Sequence, residues 1–303
     1  MSREEQSNPQ NKSKSSEVIK LSCRFCGSTN VIKRGKRKTE NRGKIQRYLC
    51  KDCDKRFVLD DGFFRMRNST QKITYSLDAY FRGFSLRKLQ ENLDVFHRHN
   101  CHYSTILRWI RKYSLKVGKF VDELPVKNSQ TISFDEVEMK TKGRKSWFID
   151  VMDTRTRYML SSGFFYSRGE KEFNEVLRLS KNKSTNETLR FETDGLNVYP
   201  RVLRKVYNYK KHSKKFTHKV TKSTDKSFNW KIERLHGSVR ERTKIMRQFG
   251  SLHSAKAIMK GFEIYYNFCR KHQGIKCFPY ELAIPDLKLG KNKWAELIKL
   301  ASA

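Results

Sequence analysis

The stretch Thr131-Ile132-Ser133-Phe134-Asp135-Glu136-Val137-Glu138-Met139 decides the fold that the sequence predicts. It carries the period of a β-strand, whereas the segment before residue 130 carries the period of helices. One acid, Asp135, lies in the apolar first half of this run. The chain therefore changes at about residue 130 from a helical region to a region that begins with a strand.

Strand and helix patterns alternate downstream of this stretch. They predict strands at 131–139, 146–152, 158–165, 189–193 and 216–220, and helices at 169–180, 198–205, 228–246 and 254–269. The segment 153–157 is expected to join the second and third strands as a hairpin. Three strands followed by helix, strand, helix, strand and helix is the order of a ribonuclease-H-like α/β domain, a mixed sheet flanked by helices. We assign 130–285 to this domain and 286–303 to a C-terminal tail.

The charge balance points to a polyanionic partner. Among 303 residues, Lys and Arg total 66 against 31 Asp and Glu, a formal net charge of +35. Such a charge repels itself in the compact state unless a polyanion is near. No stretch approaches the roughly 18 consecutive apolar residues of a membrane span, so nucleic acid is the expected partner and a membrane is not.

Two pairs of cysteines near the N-terminus have the spacing of a metal site. Cys23 and Cys26 form one Cys-x-x-Cys knuckle, Cys50 and Cys53 form another, and a basic, glycine-punctuated hairpin is expected between them. Four thiolates in this pattern suit one tetrahedral Zn²⁺. We predict a zinc ribbon at 20–60, after a disordered arm at 1–19; a redox dithiol or a degenerate ribbon are the alternatives. Reduced cysteines favour the cytoplasm.

Three helices are predicted between residues 70 and 125. Ser85 is a good N-cap for the second helix, and Ser104 is the expected cap of the third. The third helix is basic, so the three resemble a helix-turn-helix module whose last helix enters the major groove. The candidate DNA contacts on that helix are Arg108, Arg111 and Lys112. The alternative is a helical packing module that does not contact DNA.

Three isolated acids are the candidate catalytic residues. Asp135 lies on the first strand of the domain, Asp194 ends the fourth, and Glu233 lies on the long helix from 228 to 246. In such a fold the first strand is central, the fourth adjoins it, and this helix packs across both. We expect two Mg²⁺ (or Mn²⁺) ions, with Asp135 bridging both and Asp194 and Glu233 holding one each, because carboxylates suit hard cations.

The helix with Glu233 has a polar stripe beside its apolar one. Asn229, Glu233, His236 and Arg240 recur at helical spacing and are expected to face one way. The alternative for Glu233 is a surface acid that pairs with Arg240 or with the neighbouring Lys231.

Other acids compete with these three. Strand alternation places Glu136 and Glu138 on the face opposite Asp135. Asp153 is expected to form the hairpin turn, and Glu192 is a supporting acid on the face of Asp194. Asp150 is the replacement candidate if Asp135 is not catalytic.

A basic segment lies between the second and third acids. Residues 201–226 carry ten Lys and Arg and a single acid, interleaved with aromatic residues. The candidate phosphate contacts in it are Lys210, Lys211, Lys214 and Lys215. Neutralising phosphates in this way positions DNA without reading its sequence. The alternative is a solvated loop.

Three motifs resemble one known family. The run Asn229-Trp230-Lys231-Ile232-Glu233-Arg234-Leu235-His236 is similar to the N-x-x-(I/V)-E-x-x-H helix of insertion-sequence transposases with a DDE integrase core. The run 266–274 resembles their Y-N-x-x-R-x-H-x-G segment, with Lys271 where proline is usual, and 191–195 resembles their second-acid strand end. The resemblance is closest to prokaryotic, and among these archaeal, insertion-sequence transposases.

The resemblance implies an activity and its partners. It implies Mg²⁺-dependent cleavage at transposon ends and transfer of the freed 3′ hydroxyls into target DNA, without a covalent enzyme intermediate. Asp135, Asp194 and Glu233 would hold the metals, His236 and Arg240 would orient phosphate, and Asn229 would support Glu233. The ribbon and the helices would recognise terminal inverted repeats in double-stranded DNA, and a homodimer in the prokaryotic cytoplasm, at the nucleoid, would be the minimal assembly.

Two other functions fit the same residues. A nuclease or Holliday-junction resolvase of this fold would cut DNA without joining it. A catalytically inactive DNA-binding regulator would need none of the three acids, and their presence in a basic chain argues against it because negative charge beside DNA lowers affinity.

Overall fold

The structure is a computed structural model that describes residues 21–40, 43–210, 214–221 and 230–302. The arm predicted at 1–19 lies outside these residues. The chain divides into two compact units, Met1–Leu59 and Asp60–Ala303. Each unit has its own hydrophobic core.

The first unit is a small antiparallel sheet. Its strands are β1 (Val31–Thr39), β2 (Gly43–Cys50) and β3 (Arg56–Phe57), in the order β1-β2-β3. The hairpin that was expected between the two cysteine pairs is β1–β2. Only Cys23, Cys50 and Phe57 form the buried core among the described residues of this unit. Such a core is too small to hold the sheet together without a further cross-link.

Three helices open the second unit. They are α1 (Thr70–Phe81), α2 (Leu86–His97) and α3 (Tyr103–Glu123). Ser85 caps α2 as predicted, since its side chain accepts the backbone N–H of Lys88. The predicted N-cap of α3 was wrong. The N-cap is His102, whose imidazole accepts the backbone N–H of Ser104, and α3 continues for 21 residues.

A five-stranded mixed sheet follows and confirms the predicted fold class. Its strands are β4 (Thr131–Thr141), β5 (Arg144–Asp153), β6 (Met159–Phe165), β7 (Arg190–Thr193) and β8 (Thr217–Val220), in the order β6-β5-β4-β7-β8. β4 is central: it pairs antiparallel with β5 and parallel with β7. β4, β5 and β6 form an antiparallel meander. β7 and β8 are shorter and parallel to β4, because the chain reaches each of them through a connection that contains a helix.

Helices cover both faces of the sheet. They are α4 (Glu170–Lys183), α5 (Tyr199–Tyr207), α6 (Trp230–Lys244) and α7 (Leu252–Ile264), with a π-helical turn (Tyr265–Cys269), α8 (Pro279–Ala283) and α9 (Lys293–Leu300) after them. α4 and α5 cover the face of Phe134, whose ring lies 4.9 Å from the ring of Tyr199 and 6.4 Å from that of Phe173. α6 and α7 cover the other face, where His236 approaches Asp135.

The first three helices share one core with the sheet domain. α1 packs on the C-terminal elements through Phe81, whose ring stacks 6.1 Å from Tyr265 and 5.7 Å from Trp294. α3 crosses α7 at two glycines, Gly118 and Gly261, where added side chains would collide with the opposite helix or its neighbours. Within the part of the chain that the structure describes, no helix is long and apolar enough to cross a membrane.

Candidate active site

The pairing register of the sheet places three aspartates, Asp135, Asp150 and Asp194, at the same height on neighbouring strands. Asp135 on β4 pairs directly with Asp150 on β5. On the other side, Ser133 of β4 pairs in parallel with Glu192 of β7, so two residues further along both strands Asp135 reaches the level of Asp194. Neighbouring strands lie about 4.8 Å apart and paired residues share a face, which sets a row of acids across the centre of the sheet.

Tyr199 of α5 contacts the neighbouring acid Glu136. Its hydroxyl donates to Glu136 Oε2 at 2.7 Å. Burial raises the pKa of this phenol, and the negative charges of Asp135, Glu136 and Asp194 raise it further. Glu136 is also held by Arg168 at 2.6 Å, which confirms that it points away from Asp135.

His236 of α6 links two of the aspartates. It is 2% exposed, and its Nε2 lies 2.9 Å from Asp150 Oδ2 while its Nδ1 lies 3.6 Å from Asp135 Oδ2. Burial lowers the pKa of the imidazole, but Asp150 and Asp135 together outweigh it and the net pKa is raised. Asp150 is fully buried, and its other oxygen, Oδ1, has no hydrogen-bond partner among the described residues. The imidazole therefore lies between Asp150 and Asp135. Because it is buried, it is placed to orient Asp135 and not to contact phosphate, which was the role that the sequence resemblance implied for it.

Asp135 is poised between its charged and neutral forms. Burial raises the pKa of its carboxyl to about 7, with smaller contributions from Glu136 and Asp150, while His236 and the backbone N–H of Glu136 oppose the rise. That N–H donates to Asp135 Oδ1 at 2.8 Å. The side chain is still 22% exposed, so one oxygen remains accessible. A divalent cation at this carboxylate would restore its charge, and hard oxygen donors of this kind fit Mg²⁺.

Glu233 lies on α6 one turn before His236. Residues three apart share a helix face, so its exposed side chain starts from the side of the helix that faces the sheet acids. Among the described residues, the four N-terminal cysteines form the only group of three or more His, Cys, Asp or Glu whose ligand atoms all lie within 4.8 Å. In a two-ion site the ions lie about 3.5–4 Å apart, so ligand oxygens on their far sides can be separated by up to about 8 Å. The acids of such a site therefore need not all lie within 4.8 Å of one another.

The other predicted site residues differ in exposure, and two of them are not described by the structure. Asn229 and Lys211 lie outside the described residues. Arg240 is exposed on α6, and Lys210 and Lys214 are exposed beside β8. Lys215 pairs with Glu187 at 2.7 Å. On α3, Arg108 and Lys112 are exposed and Arg111 is half-buried.

Asp153 forms the hairpin turn, as predicted. Its Oδ1 accepts the backbone N–H of Thr156 at 2.8 Å and that of Arg155 at 3.2 Å, and its Oδ2 accepts the N–H of Ser129 at 2.5 Å. Both oxygens are thus used inside the protein, and Asp153 is not a further metal ligand of the candidate site.

The turn between β4 and β5 identifies Asp150 as the strand partner of Asp135, which the alternation of apolar residues alone does not. Lys142 and Gly143 connect β4 to β5, and both have a positive φ, 50° and 76°. That geometry defines a two-residue hairpin turn, which fixes the register of the strands on either side. Counting outward from this turn pairs Asp135 with Asp150. His236 could not be added in this way, because the packing of α6 is not encoded in any local pattern.

The four cysteines of the first unit form a compact cluster. Cys23 Sγ lies 3.6 Å from Cys53 Sγ, and Cys26 Sγ lies 3.6 Å from Cys50 Sγ. A tetrahedral Zn²⁺ with bonds near 2.3 Å holds its sulfurs about 3.8 Å apart. The cluster therefore fits one such ion, and Asp52, which accepts from Ser28 and from Asn30 Nδ2, fixes the second knuckle to the first.

One family model matches the sheet domain. Residues 129–272, just under half of the chain, are similar to the family model described as a DDE domain. No curated protein matches the chain.

Solved structures that resemble part of this chain include integrase catalytic core domains. The HTLV-2 integrase catalytic core domain in complex with magnesium is 14% identical and covers 53% of this chain and 97% of its own, with a TM-score of 0.38. The catalytic core domain of BIV integrase is also 14% identical, over 52% of this chain and 96% of its own, with a TM-score of 0.39. A chain of the simian T-cell lymphotropic virus intasome is 11% identical, over 65% of this chain and 74% of its own, with a TM-score of 0.41.

Proposed function

We propose that this chain is a transposase that cuts DNA at the ends of a mobile element and joins those ends to target DNA. The observation that supports the proposal is the register that sets Asp135 level with Asp194 at the centre of the sheet domain, with α6, the helix that carries Glu233, packed against Asp135 through His236. The prokaryotic, archaeal and cytoplasmic setting stays an expectation of the sequence resemblance.

The proposed reaction is an in-line displacement at phosphorus. An oxygen of water attacks the phosphodiester, the bond to the 3′ oxygen breaks, and a 3′ hydroxyl is released; that hydroxyl then attacks target DNA in the same way. Two Mg²⁺ ions held by Asp135, Asp194 and Glu233 would supply the charge that activates the attacking oxygen and stabilises the leaving one. His236 would orient Asp135 from behind, and exposed Arg240 would face phosphate.

The remaining residues have proposed roles in DNA binding and assembly. Exposed Arg108 and Lys112 on α3, with Arg111, would contact the terminal repeats, and the lysines beside β8 would contact phosphates. The four cysteines would hold one structural Zn²⁺. Because two ends must be joined, the working assembly would be at least a homodimer.

The test is cleavage and joining of labelled duplexes made from the DNA that flanks the coding sequence. Asp194→Asn and Glu233→Gln should each lower the Mg²⁺-dependent cleavage rate about a hundredfold or more, since each removes an ion ligand. DNA binding should survive, because negative charge is lost. Glu241→Gln, an exposed acid on the same helix, is the matched control and should cleave normally.

The outcomes separate the alternatives. Cleavage that persists in both variants would remove Asp194 and Glu233 from the site. Hydrolysis without joined products would favour a nuclease of the same fold. Binding without any Mg²⁺-dependent cleavage by the wild-type chain would favour a regulator.

A further inference from the structure

Three arginines from distant parts of the sequence converge beside the proposed active site. Arg157 lies in the turn between β5 and β6, Arg234 lies on α6, and Arg270 follows the π-helical turn. We call these three residues the arginine cluster. Its framework is aromatic: the Arg157 guanidinium lies 4.7 Å from the centroid of Trp230, and that of Arg270 lies 5.4 Å from the centroid of Tyr266.

The charges of all three arginines act on two neighbouring side chains, Tyr266 and His272. The Tyr266 ring lies 6.3 Å from the imidazole of His272. Burial lowers the pKa of that imidazole, and the charges of Arg270, Arg157 and Arg234 lower it further, to about 4. The same three charges act on the hydroxyl of Tyr266. The geometry agrees with this, because Asn267, between Tyr266 and Arg270, bonds both the N–H and the C=O of Met159 at 2.8 Å, two residues from Arg157. The turns that carry Arg157 and Arg270 are therefore adjacent, and His272 is neutral beside them.

No acid among the described residues forms an ion pair with the arginine cluster, although the charges of Asp153 and Glu192 reach Arg157. In the described ranges 21–40, 43–210, 214–221 and 230–302, no carboxylate oxygen lies within 4.0 Å of a nitrogen of these arginines. Arg157 Nη1 is buried and has no hydrogen-bond partner among those residues. Asp153, an acid whose charge reaches Arg157, is already engaged by the turn. Like charges that lie close together repel one another, so an external anion would stabilise this arrangement.

The backbone also departs from its ordinary range at this place. Arg157 has φ of 60°, in the left-handed region that is sterically unfavourable for a non-glycine residue. The turn thereby brings its side chain toward α6, where it meets Trp230.

α6 sets the distance from the cluster to the acids. Arg234 directly follows Glu233, and Trp230 lies one turn before it. At 1.5 Å per residue, Trp230 is about 4.5 Å from Glu233 and about 9 Å from His236 along the helix axis. Phosphates of one DNA strand advance about 3.4 Å each along the duplex. The cluster thus lies one to a few phosphates from the point where the acids would act.

We propose that Arg157, Arg234 and Arg270 bind a backbone phosphate of the substrate DNA strand adjacent to the scissile phosphate. This inference rests on the proposed function. Planar guanidinium groups match phosphate oxygens in paired hydrogen bonds, and Arg234 is exposed on α6 beside the other two arginines. The three residues act as positioning residues that fix the register of the strand over the acids.

The first experiment measures DNA binding without cleavage. The Asp194→Asn protein, alone and combined with Arg157→Gln or Arg270→Gln, is titrated with a labelled duplex of arbitrary sequence at several salt concentrations. Each arginine change should weaken binding about tenfold and reduce the slope of log K against log[salt] by about 0.9. Arg155→Gln, exposed in the same turn, is the matched control and should leave the slope near the parent value.

The second experiment follows the His272 imidazole by NMR in the Asp194→Asn protein. Its pKa should rise from about 4 when the duplex binds, because a phosphate then offsets the arginine charges. In the otherwise wild-type chain, Arg157→Gln should raise KM for cleavage more than it lowers kcat.

Two results would overturn the inference. One is an unchanged salt slope in both arginine variants when circular dichroism shows them folded. The other is a His272 pKa that does not respond to bound duplex. Neither readout needs cleavage, so a failure of the proposed function would appear separately, as wild-type protein that binds DNA but does not cut it.

Discussion

At the scale of single residues, His236 is the side chain whose surroundings say most about the site. It is buried, and it contacts one aspartate that reaches solvent and one that does not. An imidazole in this position orients a carboxylate in the way that partners behind a metal ligand usually do. Its role is therefore expected to lie in holding Asp135.

His236→Gln should lower the cleavage rate about 10- to 100-fold, the usual cost of losing a partner behind a metal ligand. The Mg²⁺ concentration for half-maximal rate should rise, because Asp135 is then less well oriented, while DNA binding should not change. Rates measured across a Mg²⁺ titration check this. His253→Gln, at an exposed histidine on α7, is the control, and an unchanged Mg²⁺ requirement in His236→Gln would contradict the role.

His272 predicts a pH dependence of stability. Burial and the arginine cluster lower its folded-state pKa from 6.5 to about 4, so the unfolded chain binds the proton more readily than the folded one. Its contribution is fully present above pH 6.5 and is lost as pH falls toward 4. His272→Gln should therefore lose less stability than the wild type between these pH values. Urea unfolding at several pH values measures it, and parallel curves for the two proteins would refute it.

At the scale of elements, the contact between α3 and α7 depends on glycine. A Cβ on Gly261 would lie 2.1 Å from Ser114 Oγ and 2.3 Å from Phe81 Cζ, so the helices could not remain this close. By contrast, Gly237 on α6 has nothing within 4 Å of its Cβ position. The two glycines are both helical and differ in packing.

Gly261→Ala should destabilise the protein by about 1–3 kcal/mol, because overpacking forces the backbones apart. Gly237→Ala should stabilise it by about 0.5–1 kcal/mol, the ordinary helix preference of alanine over glycine. Denaturant midpoints of the two variants decide between these effects. Equal shifts of the same sign would mean that the close approach of α3 and α7 is not tight in solution.

Elements were the level at which the sequence predicted most. Where the structure describes them, the five strands and four predicted helices of the sheet domain lie within a few residues of their expected bounds, because alternation and helical periodicity record which face of each element is buried. The predicted N-cap of α3 was wrong because His102 and Ser104, two residues apart, are both residues whose side chains can accept a free backbone N–H at the start of a helix. Helical periodicity does not choose between them.

At the scale of the whole molecule, the two compact units have separate cores of very different size. The first unit buries little besides two of its cysteines and Phe57. All four tryptophans, Trp109, Trp147, Trp230 and Trp294, belong to the second unit. Tryptophan fluorescence therefore reports on the second unit alone.

Removing zinc with a chelator should unfold residues 21–59 while tryptophan fluorescence stays at its native value. The reason is that metal binding supplies the folding free energy of so small a unit. Metal analysis should find one zinc per chain, absent in Cys50→Ser, and limited proteolysis should then cut within the first unit. Cys277→Ser, outside the cluster, is the control. A Cys50→Ser protein that still resists proteolysis between residues 21 and 59 would show that the sheet folds without metal.

The sequence by itself determined the order of strands and helices, the cysteine cluster, and the three acids as candidates, because each of these depends on local periodicity, spacing or residue chemistry. Only the tertiary structure decided that Asp150 and His236 stand behind Asp135, and that Arg157, Arg234 and Arg270 meet. These contacts join residues far apart in the chain, and they depend on how α6 and the π-helical turn pack on the sheet. Packing of that kind is set by the shapes of whole faces, which no short stretch of sequence contains.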